Sequence, residues 1–161
     1  MLRFEVDASK VASGIEQKMS RVTEVMRAQL NGIDIELQSY IITHKLSGDP
    51  IQQRRGARGL AGTIRAIPAV VEGETVTGEV QGGGGVAPYG KFLEYGTQGP
   101  YEIVPKNAKA LAFSIGGQMR FFKKVMHPGL TEHSFMRSSL RENQENIVTQ
   151  MKEALMGVVQ S

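Results

Sequence analysis

Apolar residues recur every three or four positions through the first part of the chain. The series runs through Val11, Ile15, Met19, Val22, Met26, Leu30, Ile33, Leu37 and Ile41. This spacing places apolar side chains on one face of an α-helix, because the helix turns once in about 3.6 residues. It therefore predicts a long amphipathic helix over residues 8–45, whose apolar face must pack against the rest of the fold.

The same segment indicates how far this helix extends and where it ends. Unbroken, it would be roughly 55 Å long, which exceeds the diameter of a domain of this size, so part of it is expected to project. Asn31-Gly32 marks the expected bend or break, because Gly weakens a helix interior by about 1 kcal/mol relative to Ala. Residues 46–50 contain Gly and Pro and are expected to end the helix.

Strand patterns lie on both sides of this helix. Residues 2–6 alternate between apolar and charged, which predicts a short strand ahead of the helix. Runs rich in β-branched and aromatic residues, separated by turn residues, predict further strands in the middle of the chain. These strands are expected over residues 63–67, 69–72, 74–80, 101–105, 110–115 and 119–125. Short turns such as Gly116-Gly117 favour antiparallel pairing, and Pro88 is expected to begin a short helix between the two groups of strands.

Helical spacing returns near the end of the sequence. The apolar positions are Phe135, Leu140, Ile147, Met151, Leu155 and Val158. They predict a C-terminal amphipathic helix over residues 134–158. The predicted fold class is α+β, with a long N-terminal helix, an antiparallel β-sheet in the middle and a C-terminal amphipathic helix. Since no repeat is visible, residues 1–161 are expected to form a single domain.

Two segments without a regular pattern are expected to be loops. Gly82, Gly83, Gly84 and Gly85 have a high entropy cost of ordering, so they predict a flexible loop. The GxxxxGK[ST] pattern of a phosphate-binding loop is absent from the sequence. Residues 51–62 mix Arg with Gly and are expected to form a loop or a very short helix.

Arg54, Arg55 and Arg58 form the densest positive cluster in the sequence. They could contact DNA phosphates, contact an acidic neighbouring subunit, or remain in solvent. The net charge of +3 comes from 19 basic and 16 acidic residues, which is a small surplus for a nucleic-acid-binding protein.

The residue types that catalysis or metal binding requires are not arranged in a known motif. The absence of Cys excludes disulfides, thiolate nucleophiles and Cys-ligated metals. His44, His127 and His133 lack the spacing of a helix-borne zinc site, and no GxSxG element is present. His127 and His133 flank a Pro-Gly turn and are expected to cap backbone groups or to pack at an interface. The carboxylates expected to be solvated rather than catalytic are Glu72, Glu74 and Glu79. We therefore expect no enzymatic activity, no cofactor and no metal.

No membrane association is expected from the sequence. No run approaches the ~20 apolar residues that span a bilayer, and the N-terminus lacks the layout of a signal peptide. Synthesis and folding are expected in the cytoplasm.

Three segments together resemble a known family. They are APYGKFLEYGT at 87–97, IVPKNAKALAF at 103–113 and FFKKVMHPGLTEHSFMRSSL at 121–140. In order and spacing they resemble the tail-completion or neck (head-tail joining) family of tailed bacteriophages, found in lambdoid siphophages. The residues of the resembling motifs are Pro88, Tyr89, Phe92, Leu93, Glu94, Tyr95, Gly96, Thr97, His127, Pro128, Gly129 and Phe135. Family sequences often carry Pro beside the last Phe, where this chain has Ser134.

The resemblance implies a structural virion protein of the phage neck or tail. Its implied role is tail completion and head-to-tail joining through a ring, expected to be a hexamer, around the DNA channel. The implied partners are other copies of the chain, neighbouring neck and tail proteins such as the stopper, tail terminator or tail tube, and the passing genomic DNA. The implied location is the virion, after synthesis in the bacterial host cytoplasm.

Within this reading, the motif residues are expected to serve the core first and an interface second. Pro88 and Gly96 would bound a short element that Tyr89, Phe92, Leu93 and Tyr95 anchor on the sheet. Two alternative functions remain open. One is a basic nucleic-acid-binding module that uses Arg54, Arg55 and Arg58, and the other is a small hydrolase.

Overall fold

The structure, a computed structural model, describes residues 8–47 and 59–160. The strand expected over residues 2–6 and the cluster of Arg54, Arg55 and Arg58 lie outside the described residues. Two compact units are present. Unit 1 combines the described residues up to Ala87 with those from Phe135 onward, and unit 2 comprises Pro88–Ser134. The prediction of a single domain over residues 1–161 stays a prediction.

The first helix, α1 (Ala8–Tyr40), is a continuous α-helix of 33 residues. The break predicted at Asn31-Gly32 is wrong, because residues on both sides of Gly32 are held against the following hairpin: Ile33 is buried and Asn31 binds a backbone amide of that hairpin. Among the described residues, no helix is long and apolar enough to cross a membrane.

The irregularity in this helix lies after Tyr40, where Ile41–Lys45 form one π-helical turn. The Leu46 backbone N–H donates to the Ile41 carbonyl at 3.0 Å. A π turn aligns residues five apart, so Ile41 and Leu46 both face the core and are only 1% and 0% exposed. The wide turn thus allows the helix to end with two buried apolar side chains.

Unit 1 contains one antiparallel hairpin of β1 (Arg65–Glu72) and β2 (Thr75–Gln81). It follows a 3-10 turn at Ala61–Thr63. The register is irregular between Ile67 and Val70, at Pro68, which has no amide hydrogen to donate. The strands predicted over 63–67 and 69–72 thus form one strand, which pairs with the strand predicted over 74–80.

The C-terminal helix α3 (Phe135–Val159) runs antiparallel to α1. The Tyr40 hydroxyl donates to Glu142 at 2.7 Å, and Gln29 Nε2 donates to Gln150 Oε1 at 2.8 Å. Lys45 also binds Glu142, at 2.6 Å. These hydrogen bonds from Lys45 and from Tyr40 lower the pKa of the Glu142 carboxyl.

Every buried apolar side chain among the described residues belongs to unit 1. They are Ile33, Ile41, Leu46, Leu60, Ile64, Ala69, Ala87, Phe135 and Val158. In contrast, residues 12–21 of α1 are all exposed, including Ile15 and Met19 of the apolar series. The apolar face predicted for α1 is therefore exposed over this stretch.

Unit 2 consists of one short helix and two separate two-stranded sheets. Its elements are α2 (Gly90–Tyr95), β3 (Tyr101–Ile103), β4 (Leu111–Ile115), β5 (Gln118–Phe122) and β6 (Val125–His127). β3 pairs with β6 and β4 pairs with β5, both antiparallel. The single strand predicted over 119–125 is therefore wrong: it is divided at Lys123-Lys124 between β5 and β6, which belong to different sheets. The predicted α+β fold class, with its order of helix, antiparallel strands and helix, is confirmed.

Candidate interaction surface

Unit 2 buries almost none of its side chains. Its buried residues are Gly90 and Glu94. The large apolar side chains that it exposes are Tyr89, Phe92, Tyr95, Tyr101, Val104, Phe113, Ile115, Met119, Phe121, Met126 and Leu130. Isolated two-stranded sheets are marginally stable in water, because they bury too little apolar surface to offset the entropy of ordering. Unit 2 therefore presents its apolar residues outward instead of packing them into a core.

The aromatic residues of the APYGKFLEYGT motif lie on this surface. Tyr89, Phe92 and Tyr95 are 41%, 43% and 65% exposed, and Leu93 is half-buried. The expectation that these side chains serve the core first is therefore wrong for the three rings. The reason is physical: α2 is one and a half turns long and its neighbouring strands are short, so unit 2 has no sheet wide enough to cover the rings. The buried residues of the motif are instead Ala87, Gly90 and Glu94, and Glu94 is 5% exposed.

Backbone hydrogen bonds hold the end of α2 against the residues that precede α3. The Leu93 carbonyl accepts from the His133 backbone N–H at 2.9 Å, and the Glu94 carbonyl accepts from the Ser134 N–H at 3.2 Å. These bonds satisfy carbonyls that a helix end would otherwise leave without partners. These backbone bonds thus place Glu94 beside the residues that follow the His127-Pro128-Gly129 turn.

A close chain crossing brings together the glycines of two motifs. Gly96 adopts a φ of 70°, and a Cβ there would lie 2.8 Å from the Leu130 carbonyl oxygen. Thr97 binds Leu130 twice: its N–H donates to the Leu130 carbonyl at 2.9 Å, and its hydroxyl accepts from the Leu130 N–H at 2.8 Å. Gly129, with a φ of 93°, lies against Gly99. Glycine is required at 96 and 129 because both the conformation and the space exclude a side chain.

His127 supports the turn that follows it. Its Nδ1 accepts a hydrogen bond from the Gly129 N–H at 3.0 Å, and its ring stacks on Tyr101 at 5.0 Å between centroids. The prediction that a histidine beside the Pro128-Gly129 turn caps a backbone group is confirmed for His127. For His133, the structure shows the backbone bond to Leu93 described above.

The β4–β5 hairpin exposes apolar residues on both of its faces. Cross-strand pairing places Phe113 opposite Arg120 and Ile115 opposite Gln118 on one face. The other face carries Met119 and Phe121, and Phe121 is 71% exposed. Gly116 and Gly117, with φ values of 61° and 80°, form the predicted two-residue turn. Within the described residues neither strand has a further partner, so both edges also offer backbone hydrogen-bonding groups.

The charges of unit 2 are mainly basic. Its basic residues are Lys91, Lys106, Lys109, Arg120, Lys123 and Lys124, and its acidic residues are Glu94, Glu102 and Glu132. Lys124 forms an ion pair with Glu102 at 2.8 Å, so the excess positive charge of unit 2 lies on its other basic residues. The exposed surface of unit 2 is therefore apolar and basic together.

The other predicted site residues within the described part of the chain, Gly82, Gly83, Gly84, Gly85 and Phe135, lie in unit 1. Gly82 packs against Ile64, and the Gly83 N–H donates to the Thr63 hydroxyl at 2.8 Å, so half of the tetraglycine segment is anchored. A Cβ at Gly84 or Gly85 would meet nothing within 4 Å. Phe135 begins α3 and is buried.

Sequence reasoning did not predict that three polar residues of α1 bind the backbone of the β1–β2 hairpin. Asn31 Oδ1 accepts from the Ala69 N–H at 2.7 Å, Asp34 Oδ2 from the Glu79 N–H at 3.1 Å, and Gln38 Oε1 from the Ala66 N–H at 2.9 Å. Burial raises the pKa of the Asp34 carboxyl, with the negative charge of Glu79 adding to the rise. Their spacing, polar residues at i, i+3 and i+7 beside an apolar stripe, was the signal that could have revealed them.

Within residues 8–47 and 59–160, no three His, Asp or Glu side chains lie close enough together to hold a metal ion. No protein-family model, curated protein or solved structure matches this chain.

Proposed function

We propose that this chain is a non-enzymatic structural protein of a tailed-phage virion, which completes the tail and joins head to tail by assembling into a ring around the DNA channel. The observation that carries this proposal is the exposed apolar surface of unit 2. That surface is formed by the segment whose motifs resemble the neck family.

The surface supports a role in assembly for an energetic reason. Monomeric proteins rarely expose contiguous apolar patches above a few hundred Å², and aromatic residues and Met are enriched where proteins bind one another. Tyr95, Phe121 and Met126 are each more than half exposed. Covering such side chains with a neighbouring subunit would gain roughly 25 cal/mol for each Å² removed from water.

The proposed partners follow from this role. They are other copies of the chain in a ring, expected to be a hexamer, and neck or tail proteins such as the stopper, tail terminator or tail tube. The genomic DNA would pass through the channel. The protein would be made in the host cytoplasm and act in the neck or tail of the virion, without a cofactor.

A genetic experiment tests the proposed function. Deleting the gene from its parent phage should give DNA-filled heads beside unjoined or defective tails, counted by electron microscopy of the lysate. Supplying the protein from a plasmid should restore joined virions. Normal virion numbers without the protein would overturn the proposal.

The nucleic-acid-binding alternative is distinguished by salt. Phosphate contacts make binding fall steeply with salt concentration. Binding of duplex DNA by the purified chain that weakens with salt, and that is lost when Arg54, Arg55 and Arg58 are changed together to Ala, would favour the alternative function.

A further inference from the structure

We propose that the β4–β5 hairpin of one copy docks on the outward face of the β1–β2 hairpin of a neighbouring copy, with Arg120 placed between Glu72 and Glu79. The inference deepens the proposed ring assembly and rests on it for its context. It assigns the two surfaces through which copies of the chain would join.

The receiving surface is the face of β1–β2 turned away from α1. The strand register places Ile67 opposite Glu79, Val70 opposite Thr77, and Glu72 opposite Thr75. Val70 is 53% exposed, although α1 covers the inward residues such as Ala69. The outward side chains line a shallow depression of about 230 Å³, formed by Ile67, Pro68, Val70, Glu72, Thr77 and Glu79. This surface is apolar at its centre and acidic at its sides.

The inserting surface has the complementary charge. On the hairpin face described above, Arg120 lies directly opposite Phe113, next to the pair of Ile115 and Gln118. Within the described residues, Arg120 takes part in no ion pair with a carboxylate. An apolar face with a central cation therefore matches an apolar depression bordered by two carboxylates.

The two surfaces also match in size. At about 3.4 Å per residue, the five residues of β4 span roughly 17 Å and the seven residues of β2 roughly 24 Å. Two-stranded sheets of these lengths can pack face to face at about 10 Å, as the layers of a β-sandwich do. The hairpin thus fits on the receiving sheet without overhanging it.

The occupant is a second copy because each chain carries one of each surface. A contact between two different surfaces of identical chains is head-to-tail, and such contacts generate rings when the rotation closes. The contact is smaller than a standard protein interface, so a single pair would be weak, and ring closure would strengthen it by multivalency. Cross-linking is therefore a better probe than the size of the free protein.

The chain contains no Cys, so introduced thiols are the only ones present. Full-length Val70→Cys and Ile115→Cys proteins would be mixed and treated with a bis-maleimide that spans about 10 Å, the face-to-face spacing of sheets. The matched control replaces Ile115→Cys by Met119→Cys, which is exposed on the opposite face of the same hairpin. We expect the Ile115→Cys mixture to form covalent dimers about tenfold faster than the control, because docking raises the effective concentration of the paired thiols.

Charge reversal provides an independent test. Arg120→Glu in the Ile115→Cys chain should reduce the cross-linking rate to that of the control, and Glu72→Arg with Glu79→Arg in the Val70→Cys chain should restore it. Equal rates for the two hairpin faces, or a rate unaffected by Arg120→Glu, would overturn the proposed interface. Far-ultraviolet circular dichroism of each variant checks that the fold is retained.

The outcomes separate this inference from the proposed function. Face-specific cross-linking together with normal virions after gene deletion would retain the interface and remove the neck role. Defective joining after deletion, without face-specific cross-linking, would retain the neck role and remove the interface.

Discussion

The carboxylate of Asp34 on α1 occupies the space that a side chain at Gly78 on β2 would need. A Cβ at Gly78 would lie 2.9 Å from Asp34 Oδ1, while Asp34 Oδ2 accepts the hydrogen bond from the Glu79 N–H. The absence of a side chain at 78 thus allows a helix carboxylate to reach a strand backbone. This contact fixes the position of α1 along the hairpin.

Replacing Gly78→Ala should destabilise the protein because the methyl group would displace Asp34 from this amide. We expect the free energy of unfolding to fall by about 1–3 kcal/mol, the usual cost of overpacking a close contact. Urea unfolding, monitored by circular dichroism, measures this change in the free energy of unfolding. An unchanged unfolding midpoint would show that the Asp34 contact is not formed.

Gly32→Ala should have the opposite effect. Gly32 lies inside the continuous α1, and a Cβ there would meet nothing within 4 Å. Ala is preferred to Gly in a helix interior by about 1 kcal/mol, so we expect a gain in unfolding free energy of this size. A loss of stability instead would indicate that the helix is bent at Asn31-Gly32 in solution.

Asn31→Ala should weaken the bulged part of β1. The change leaves the Ala69 N–H without its hydrogen-bond acceptor. We expect the free energy of unfolding to fall by about 1–3 kcal/mol. Amide hydrogen exchange should show faster exchange at Ala69. Ser39→Ala, at an exposed position of the same helix, is the control and should leave this exchange unchanged.

Glu142→Gln should reduce the sensitivity of unit 1 to acid. The pKa of Glu142 is lowered from its ordinary value of 4.5, so its stabilising effect is complete above that value and is lost as pH falls through the lower folded pKa. The raised pKa of Asp34 gives the opposite pH dependence of stability, because its stabilising effect is lost as pH rises from 3.8 to the folded pKa. The test therefore compares the pH dependence of stability of the Glu142→Gln variant with that of the wild type.

Urea midpoints measured at neutral pH and at about pH 3 should move less for Glu142→Gln than for the wild type. Glu145→Gln, an exposed position on the same helix, should retain the acid sensitivity of the wild type. Equal midpoint shifts for wild type and Glu142→Gln would contradict the role assigned to the Lys45 and Tyr40 hydrogen bonds.

Phe121→Ser should leave the isolated chain as stable as the wild type, within about 0.5 kcal/mol, because surface changes away from special contacts have small effects. It should also reduce binding of the dye ANS, which reports exposed apolar surface. Ile64→Ser provides the contrast: Ile64 is 2% exposed in unit 1, and a buried hydroxyl there should destabilise the fold strongly. Strong destabilisation by Phe121→Ser would mean that its ring is buried within one chain.

The sequence was sufficient for the elements whose patterns are local. Helical periodicity predicted α3 over 134–158, and it lies at Phe135–Val159. The glycine pair at 116–117 predicted the turn between β4 and β5, because two consecutive positive φ values exclude most other residues.

Other features depend on residues distant in the chain. Intrinsic helix propensity reflects only the local backbone, and by that measure Asn31-Gly32 favours a helix break. The propensity takes no account of the hydrogen bond that Asn31 accepts from Ala69 on the hairpin. The π turn depends on the joint burial of Ile41 and Leu46. The exposure of Tyr95 and Phe121 could not be read from composition, since apolar residues that pack in a core and those that await a partner have the same sequence pattern.

The interrupted layout of unit 1 has a consequence for translation. The chain leaves unit 1 after Ala87 and returns at Phe135, so the ribosome makes all of unit 2 before it makes α3. During that interval α1 lacks α3, the helix it packs against, and the apolar side chains of residues 88–134 have already emerged. If neighbouring subunits cover these side chains, as proposed above, the yield of usable protein depends on how quickly each new chain meets them. The relative synthesis rates of the assembling proteins would then decide between assembly and aggregation.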